Sequence, residues 1–455
     1  MKAEEKTEYK PTSNACKLCS PLGASLVFRG IEKSVPLLHG SQGCSTYIRR
    51  YLISHFKEPV DIASSNFTEE TAVFGGGANL KLAIDNIIKQ YGPDLIGVAT
   101  TCLSETIGDD VPGIVRNYLQ DNCHVKAPSI VTVSTPSYSG THMEGFHRAV
   151  RETVASLAER KNSGRAPHIN VFPGMLSPAD YRHLKEIFSD FGVKCHMVPD
   201  YSETLDGPLW AEYRKIPKGG TPVRHIIAMG DALASIEMGR ILTETESAGK
   251  LLKQKFEVPC YSPGLPLGIR ETDVFFDVVS EITGKPMPEK YAAERGRLID
   301  AYADGHKYVF EARAVVYGEE DLVVGLASFL SEIGVVPAMC ASAGTSGHLR
   351  ARLRRVIDDF DDRGIQVLDG VDFVEIGDAS KKMAPDFLIG SSKGYRLARE
   401  MNTPLIRVGF PIHDRMGGAR IVHIGYRGAQ QLFDMISNTI IASKQDTSPV
   451  GYTYM

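Results

Sequence analysis

The sequence has no run approaching the ~18 apolar residues that a membrane helix needs. Its opening, "MKAEEKTEYKPTSNA", has no apolar core of the kind a leader carries. Nor is one sign of charge in excess: 51 Lys and Arg stand against 55 Asp and Glu, for a net charge of −4. The first two absences predict a cytoplasmic protein that does not engage a membrane. The third removes the basic footprint that nucleic-acid binding requires, leaving small molecules, cofactors and other proteins as partners. There are eight cysteines but a single CxxC, at Cys16 and Cys19. In a reducing compartment they do not build a disulfide framework, so clustered ones point to metal or catalysis.

At 455 residues the chain exceeds one compact core. From about residue 85 onward, short Val- and Ile-rich runs ending in Gly, Ser, Thr or Pro alternate with amphipathic stretches. Runs at 94–101, 127–134, 168–174, 193–199, 223–230, 313–318, 334–341, 365–370, 385–392 and 403–411 read as buried parallel strands. Stretches at 79–91, 178–192, 321–334 and 349–364 carry apolar residues at helical spacing, with Gly near their ends. The fold class that follows is α/β: three Rossmann-like doubly wound parallel-sheet domains with helices on both faces. Polar breaks at 159–168 and 282–297 divide the chain into domains 1–160, 161–290 and 291–455. In such sheets ligands bind beyond the carboxyl ends of strands. That rule singles out Cys102, Ser137 and the segments 230–233, 317–321, 391–394 and 409–415.

Cys19, Cys44 and Cys102 lie in "CSPLG", "HGSQGCS" and "TTCLSE". Gly and Ser turns offer the close backbone approach and the N–H groups that a thiolate holding iron needs. Cysteines far apart in sequence are equally the small hydrophobes of a core. The CxxC lacks the second pair that zinc needs, and no strand-to-helix pattern surrounds it as in a thioredoxin-type pair. Cys123, Cys195, Cys260 and Cys340 lie in or beside apolar runs and read as core. His39, before a glycine, reads as a hydrogen-bonded support for the Cys44 loop, with ligation the alternative. Glu105, Asp109 and Asp110 read as helix-capping acids, with proton transfer the alternative. "VFGGGANL" (73–80) lacks the Lys of a phosphate loop. "GFPIHDRMGG" (409–418) reads either as a polar turn or as a surface for a partner or for cluster access.

Taken in order, "CSPLG", "LLHGSQGC", "FKEP", "EETAVFGG", "TTCLSETIGDD" and "STPSYSG" resemble the β-type subunit of nitrogenase component 1 and its paralogues. The resemblance continues through "LPLGIRETD" (265–273), "AERGRLID" (293–300), "DFLIGSSKG" (386–394), "RVGFPIHDR" (407–415) and "GYRGAQQL" (425–432). It implies that Cys19, Cys44 and Cys102 hold this chain's share of a P-cluster-type [8Fe-7S] relay at the interface with a homologous α-type subunit, in an α2β2 heterotetramer. Ser137 matches the serine that ligates one iron of the oxidised cluster. Phe74 matches the aromatic where the ATP-dependent iron protein docks. Glu58 matches an acid near a structural cation site at the β–β′ contact. Cys16 has no counterpart among the ligands. Residues 1–160 become the cluster-binding and partner-interface domain. The catalytic cofactor is expected on the partner, since the C-terminal half shows no matching Cys and His pair.

Within that family the cysteine set and Ser137 fit a working reductase better than a cofactor-assembly scaffold, which would hold a smaller [4Fe-4S] cluster. Only 18 residues precede Cys19, where a molybdenum nitrogenase β subunit carries a longer extension. "PDYSETLDGPLW" (199–210), "RMGGAR" (415–420) and "SPVGYTYM" resemble the scaffold paralogue. This combination resembles the nitrogenase-like reductases, among them methylthio-alkane reductase, which reduces C–S bonds. The scaffold is the alternative, and a nitrogenase β subunit comes third.

Overall fold

The computed structural model describes residues 15–122, 127–161, 164–242 and 246–449. Cys123 lies outside the described residues. Three parallel sheets follow one another along the chain. The first holds β1 (Ser34–His39), β2 (Ala63–Ser64), β3 (Leu95–Thr100) and β4 (Ser129–Val133), in the order β2-β1-β3-β4. The second holds β5 (Ala166–Phe172), β6 (Lys194–Met197), β7 (Ala232–Glu237) and β8 (Cys260–Tyr261), in the order β6-β5-β7-β8. The third holds β9 (Arg313–Gly318), β10 (Val336–Ser342), β11 (Gln366–Leu368), β12 (Phe387–Gly390) and β13 (Leu405–Arg407), in the order β11-β10-β9-β12-β13. No helix among the described residues is long and apolar enough to cross a membrane.

Helices cover both faces of these sheets, and the side-chain alternation of the strands shows it. Leu38 and Ala99 enter one core while Leu37 and Val98 enter another on the opposite face. Val316 and Val315 divide in the same way in the third sheet. Two-sided burial explains why these strands read as continuous apolar runs. Truncating one such side chain to Ala costs about 2–5 kcal/mol.

The expected strands form, with one exception. The run 223–230 is instead the helix Val223–Ile227 and a 3-10 turn, and the strand of this region is β7, which follows at once. Periodicity does not separate a short apolar helix from a strand, and Pro222 immediately before it suits a helix start. β1 was not among the expected strands. It contains Pro36, which argues against a central strand. Proline is tolerated there because β2 begins to pair with β1 only at Leu37. The expected helix 349–364 ends at Val356, and the acidic stretch beyond it forms turns, with Asp359 at a φ of 54°.

Candidate functional site

The order of the first sheet reverses between β1 and β3, and the segments leaving these two strands diverge there. His39 and Thr100 end the strands side by side. Cys44 lies in the first turn of the helix Gln42–Phe56, which follows β1. Cys102 begins the helix Cys102–Ile107, which follows β3. Gly40 lets the two turns abut, because a Cβ there would run into the side chain of Thr101. The Thr101 hydroxyl closes the contact by donating to the carbonyl of His39 at 3.0 Å.

Cys19 arrives from another direction, as the N-cap residue of the helix Ser20–Arg29. This helix crosses the helix His142–Leu157 at very close range. Gly23 faces the backbone of His142 and Gly145 faces that of Ser20, with no room for a side chain at either position. The crossing brings the Cys19 turn onto the segment after β4. There the amide of Ser20 donates to Ser137 Oγ at 3.3 Å, and the amide of Ser137 donates to Cys102 Sγ at 3.2 Å. Cys19, Cys102 and Ser137 are thus neighbours. Cys44 stands on the adjoining turn, where it accepts from Ser41 Oγ at 3.7 Å.

The three thiols share a physical setting. Each sits at or within the first turn of a helix, where the dipole favours the negative charge of a ligating sulfur. Each is unpaired and exposed, unlike Cys340, which is buried in the core, or Cys195 and Cys260, which are half-buried. Burial pushes the thiols of Cys195 and Cys260 up to about 12. Among the described residues no three His, Cys, Asp or Glu side chains converge as a single-ion site. Exposed sulfur donors from separate segments, one of them receiving a backbone N–H, are the kind of groups that hold iron–sulfur clusters.

Cys16 does not join this set. Its thiol lies beneath the surface and is pushed up to about 12 by burial, against the lowering influence of Lys393. The CxxC does precede a helix, which the sequence reading had not found, but residues 15–19 before it form no strand. The high thiol value is the reverse of what a thioredoxin-type pair needs.

His39 is buried, and both ring nitrogens are engaged, with Ser65 Oγ at 3.0 Å and Asp109 Oδ2 at 3.0 Å. Burial lowers its pKa against the opposing influence of Asp109. Asp109 also accepts from the amide of Gly76 at 3.0 Å. One network thus joins the root of the Cys44 loop to the turn after Phe74. Glu105 accepts from Thr100 Oγ1 and Ser134 Oγ, both at 2.6 Å, tying β3 to β4. Asp110 caps the helix Val111–Asp121.

Phe74 ends the short helix Glu69–Phe74 and is 83% exposed, next to Val73 at 75%. This helix packs against Cys102–Ile107, so the apolar knob stands on the element that Cys102 opens. Glu58 is half-buried between Asp206 and Arg420, and its carboxyl is raised by burial and by Asp206. The 409–418 segment folds back on the helix that carries Cys44: the Ile412 amide donates to His55 Nδ1 at 2.9 Å, and His413 bonds Ser54.

One further residue near the thiols lies in the 391–394 segment that the strand-end rule singles out, where no role was assigned to it. Lys393, after β12, interacts electrostatically with both Cys16 and Cys19, donates to the Ala15 carbonyl at 2.6 Å, and lies over the Tyr51 ring.

Comparison with known proteins agrees with this architecture. Residues 19–441 match the family described as nitrogenase component 1 type oxidoreductase. The nitrogenase molybdenum-iron protein beta chain of Clostridium pasteurianum is 36% identical over 94% of this chain and 93% of its own length. The nitrogenase vanadium-iron protein beta chain of Trichormus variabilis is 33% identical over 97% of each. A chain of the nitrogenase Cp1 structure at pH 6.5 superposes with a TM-score of 0.94 at 34% identity, covering 100% of this chain and 99% of that one.

Proposed function

The chain belongs to the family of nitrogenase component 1 type oxidoreductases, and from that premise we propose that it is the β-type subunit of a component 1 reductase, with Cys19, Cys44 and Cys102 as its ligands to a shared [8Fe-7S] cluster. The observation that carries the reading is the meeting of Cys19, Cys102 and Ser137 on one exposed edge, joined by the amide of Ser137 on Cys102 Sγ. Such a cluster supplies storage and transfer of single electrons. The protein's own part is to hold and tune it. The Ser137 N–H on Cys102 Sγ and the positive charge of Lys393 near Cys19 favour the more reduced, more negative state of the bound sulfur ligands. Ser137 Oγ is a further oxygen donor beside the thiols. Phe74 and Val73 form the docking knob for the ATP-dependent iron protein, and the His39–Asp109 network holds that knob rigidly against the cluster loops.

A homologous α-type subunit supplies the remaining ligands and holds the catalytic cofactor, in an α2β2 assembly. For the substrate, reduction of the C–S bond of small methylthio-alkanes remains the finer reading. A second reading, reduction of dinitrogen, is favoured by the names of the relatives, which are molybdenum-iron and vanadium-iron beta chains. The short stretch before Cys19 does not separate the two, because the Clostridium chain is matched over 93% of its own length. The test is to purify the chain with the α-type subunit encoded beside it, count iron, and assay dimethyl sulfide and dinitrogen reduction with an iron protein. Turnover of either, with an eight-iron shared cluster, supports the reductase and selects the substrate. A four-iron cluster without turnover, together with transfer of a cofactor to an apo-nitrogenase, establishes the scaffold instead.

A further inference from the structure

The second and third sheets have switch points of their own, and none of the roles above uses them. The strand order reverses between β5 and β7 in one and around β9 in the other. The segments leaving these strands meet across a two-lobed cavity: 174–177 after β5, Met238 after β7, 319–321 after β9, 342–344 after β10, and 408–410 after β13. Both lobes include Met143, His147, Glu319, Asp321 and Phe410, so they are continuous. They hold about 700 and 670 Å³ of empty space, mouths included. A cavity at strand carboxyl ends, with convergent polar groups, is where α/β sheets place ligands.

The two lobes differ in chemistry. One is walled by Phe56, Met175, Leu265, Leu267 and Phe410. The other is lined by the consecutive acids Glu319, Glu320 and Asp321, with Ser346 donating to Glu320 at 2.7 Å. Each lobe also has a buried histidine nitrogen without a partner: Nε2 of His423, whose Nδ1 is held by Asp180 at 3.1 Å, and Nδ1 of His142. These two side chains are 7% and 6% exposed. Burial pushes the His142 and His147 rings down to about 4, which keeps them uncharged near neutrality. Among the described residues Lys17, which is exposed, is the one Lys or Arg lining either lobe, and Arg240, which pairs with Glu271 at 2.7 Å, also acts on Asp321. The acidic lobe thus presents Glu320, held by Ser346, and Glu319, held by the amides of Asp321 and Leu322, with no cation among the described residues against either, while Asp321 is satisfied by the amides of Ile241 and Leu242 and by nearby Arg240; beside them lies the chamber with the apolar walls. The donors do not converge on a single-ion site, so the complementary guest is extended, with one cationic end and one apolar end.

We propose that this cavity binds a small amphipathic organic cation of the primary alkylammonium class, its ammonium against Glu319 and Glu320 and its alkyl body between Phe56, Leu265 and Phe410. The acidic lobe reaches the N-terminal turn through Cys16 and Lys17, but its acids are not among the proposed cluster ligands, so the proposal stands or falls independently of the relay. The test is calorimetric titration of the chain, purified with its partner subunit, using hexylammonium, hexanol and hexanoate as probes. Hexylammonium is expected to bind, with hexanol and hexanoate at least about tenfold weaker, and Glu320→Gln is expected to weaken hexylammonium about tenfold. If Glu320→Gln lowers the unfolding midpoint, Ser346→Ala, which frees the Glu320 carboxyl from its anchor, is read in its place, with a loss of affinity expected. Equal binding of hexanol, no hexylammonium binding up to about 10 mM, or unchanged affinity in the folded variant would overturn the proposal.

Discussion

At the scale of single residues, the account separates thiols by environment. The three proposed ligands are exposed at helix starts, while Cys16 is half-buried and Cys340 is buried. Lys393 is the closest test of how the protein tunes the cluster. Lys393→Met removes a positive charge beside Cys19. It should shift the cluster's midpoint potential negative by on the order of tens of millivolts, read by a redox titration, and an unchanged potential would remove Lys393 from the site. A second residue-scale prediction concerns pH. Burial holds the Glu320 carboxyl up to about 7, and burial with Asp321 holds Glu319 well above the usual carboxylate range. An acid whose folded pKa is raised keeps its proton in the folded state while the unfolded chain has released it, so stability falls as pH rises through the folded value. The buried histidines act the other way: their lowered values mean that the unfolded chain binds protons the folded chain does not, so they raise stability with pH until the unfolded rings are neutral, about one unit above the ordinary value. The acids are therefore read by difference: between about pH 6.5 and 8 the denaturation midpoint of Glu319→Gln should rise relative to wild type, and a difference that does not change with pH would show that Glu319 contributes no slope. The three proposed ligand positions stand out as motifs, because Gly and Ser turns around cysteine leave a local signature. For Lys393 only the segment was legible, from its place beyond a strand; its relation to Cys19 exists only after the third sheet has packed against the first.

At the scale of elements, the site depends on how two helices cross. Gly23 and Gly145 bring Ser20–Arg29 and His142–Leu157 to backbone contact, and that contact places Cys19 beside Ser137. Gly145→Val would force its side chain into the carbonyl of Ser20. It should cost about 1–3 kcal/mol, seen as a lower urea midpoint, and should loosen Cys19 before the two turns at β1 and β3. A midpoint equal to wild type would show that the crossing has slack. Strands buried on both faces were readable because every position is apolar. The exceptions follow from the same physics. Pro36 hid β1, since the free side of the strand that tolerates it is a fact of pairing and not of composition. The 223–230 run misled because five apolar-rich residues satisfy a short helix as well as a strand. The first helix went unread because its residues, Ser20 to Arg29, are buried throughout and show no polar face.

At the scale of the whole molecule, the exposed knob of Phe74 and the exposed thiols lie on one continuous structural unit. The helix Glu69–Phe74 packs on Cys102–Ile107, and the His39–Asp109 network ties both to the Cys44 loop. A partner docked at Phe74 is therefore mechanically close to the cluster ligands. Phe74→Ala should lower the rate of electron delivery from the iron protein by about tenfold or more, as loss of a buried aromatic anchor does, while leaving iron content unchanged. Loss of iron along with rate would instead make Phe74 a structural residue. The family and the sheet architecture were visible from ordered motifs, whereas the cavity joining the second and third sheets was not, since it is built from segments far apart in sequence. The central claim is that Cys19, Cys44 and Cys102 hold a cluster completed by another chain. It is tested most directly by the electron paramagnetic resonance signal and iron count of the purified complex in Cys44→Ala and Cys260→Ala variants. The account predicts that Cys44→Ala abolishes the shared cluster's signal and lowers the iron count while Cys260→Ala preserves both; equal effects of the two substitutions would contradict it.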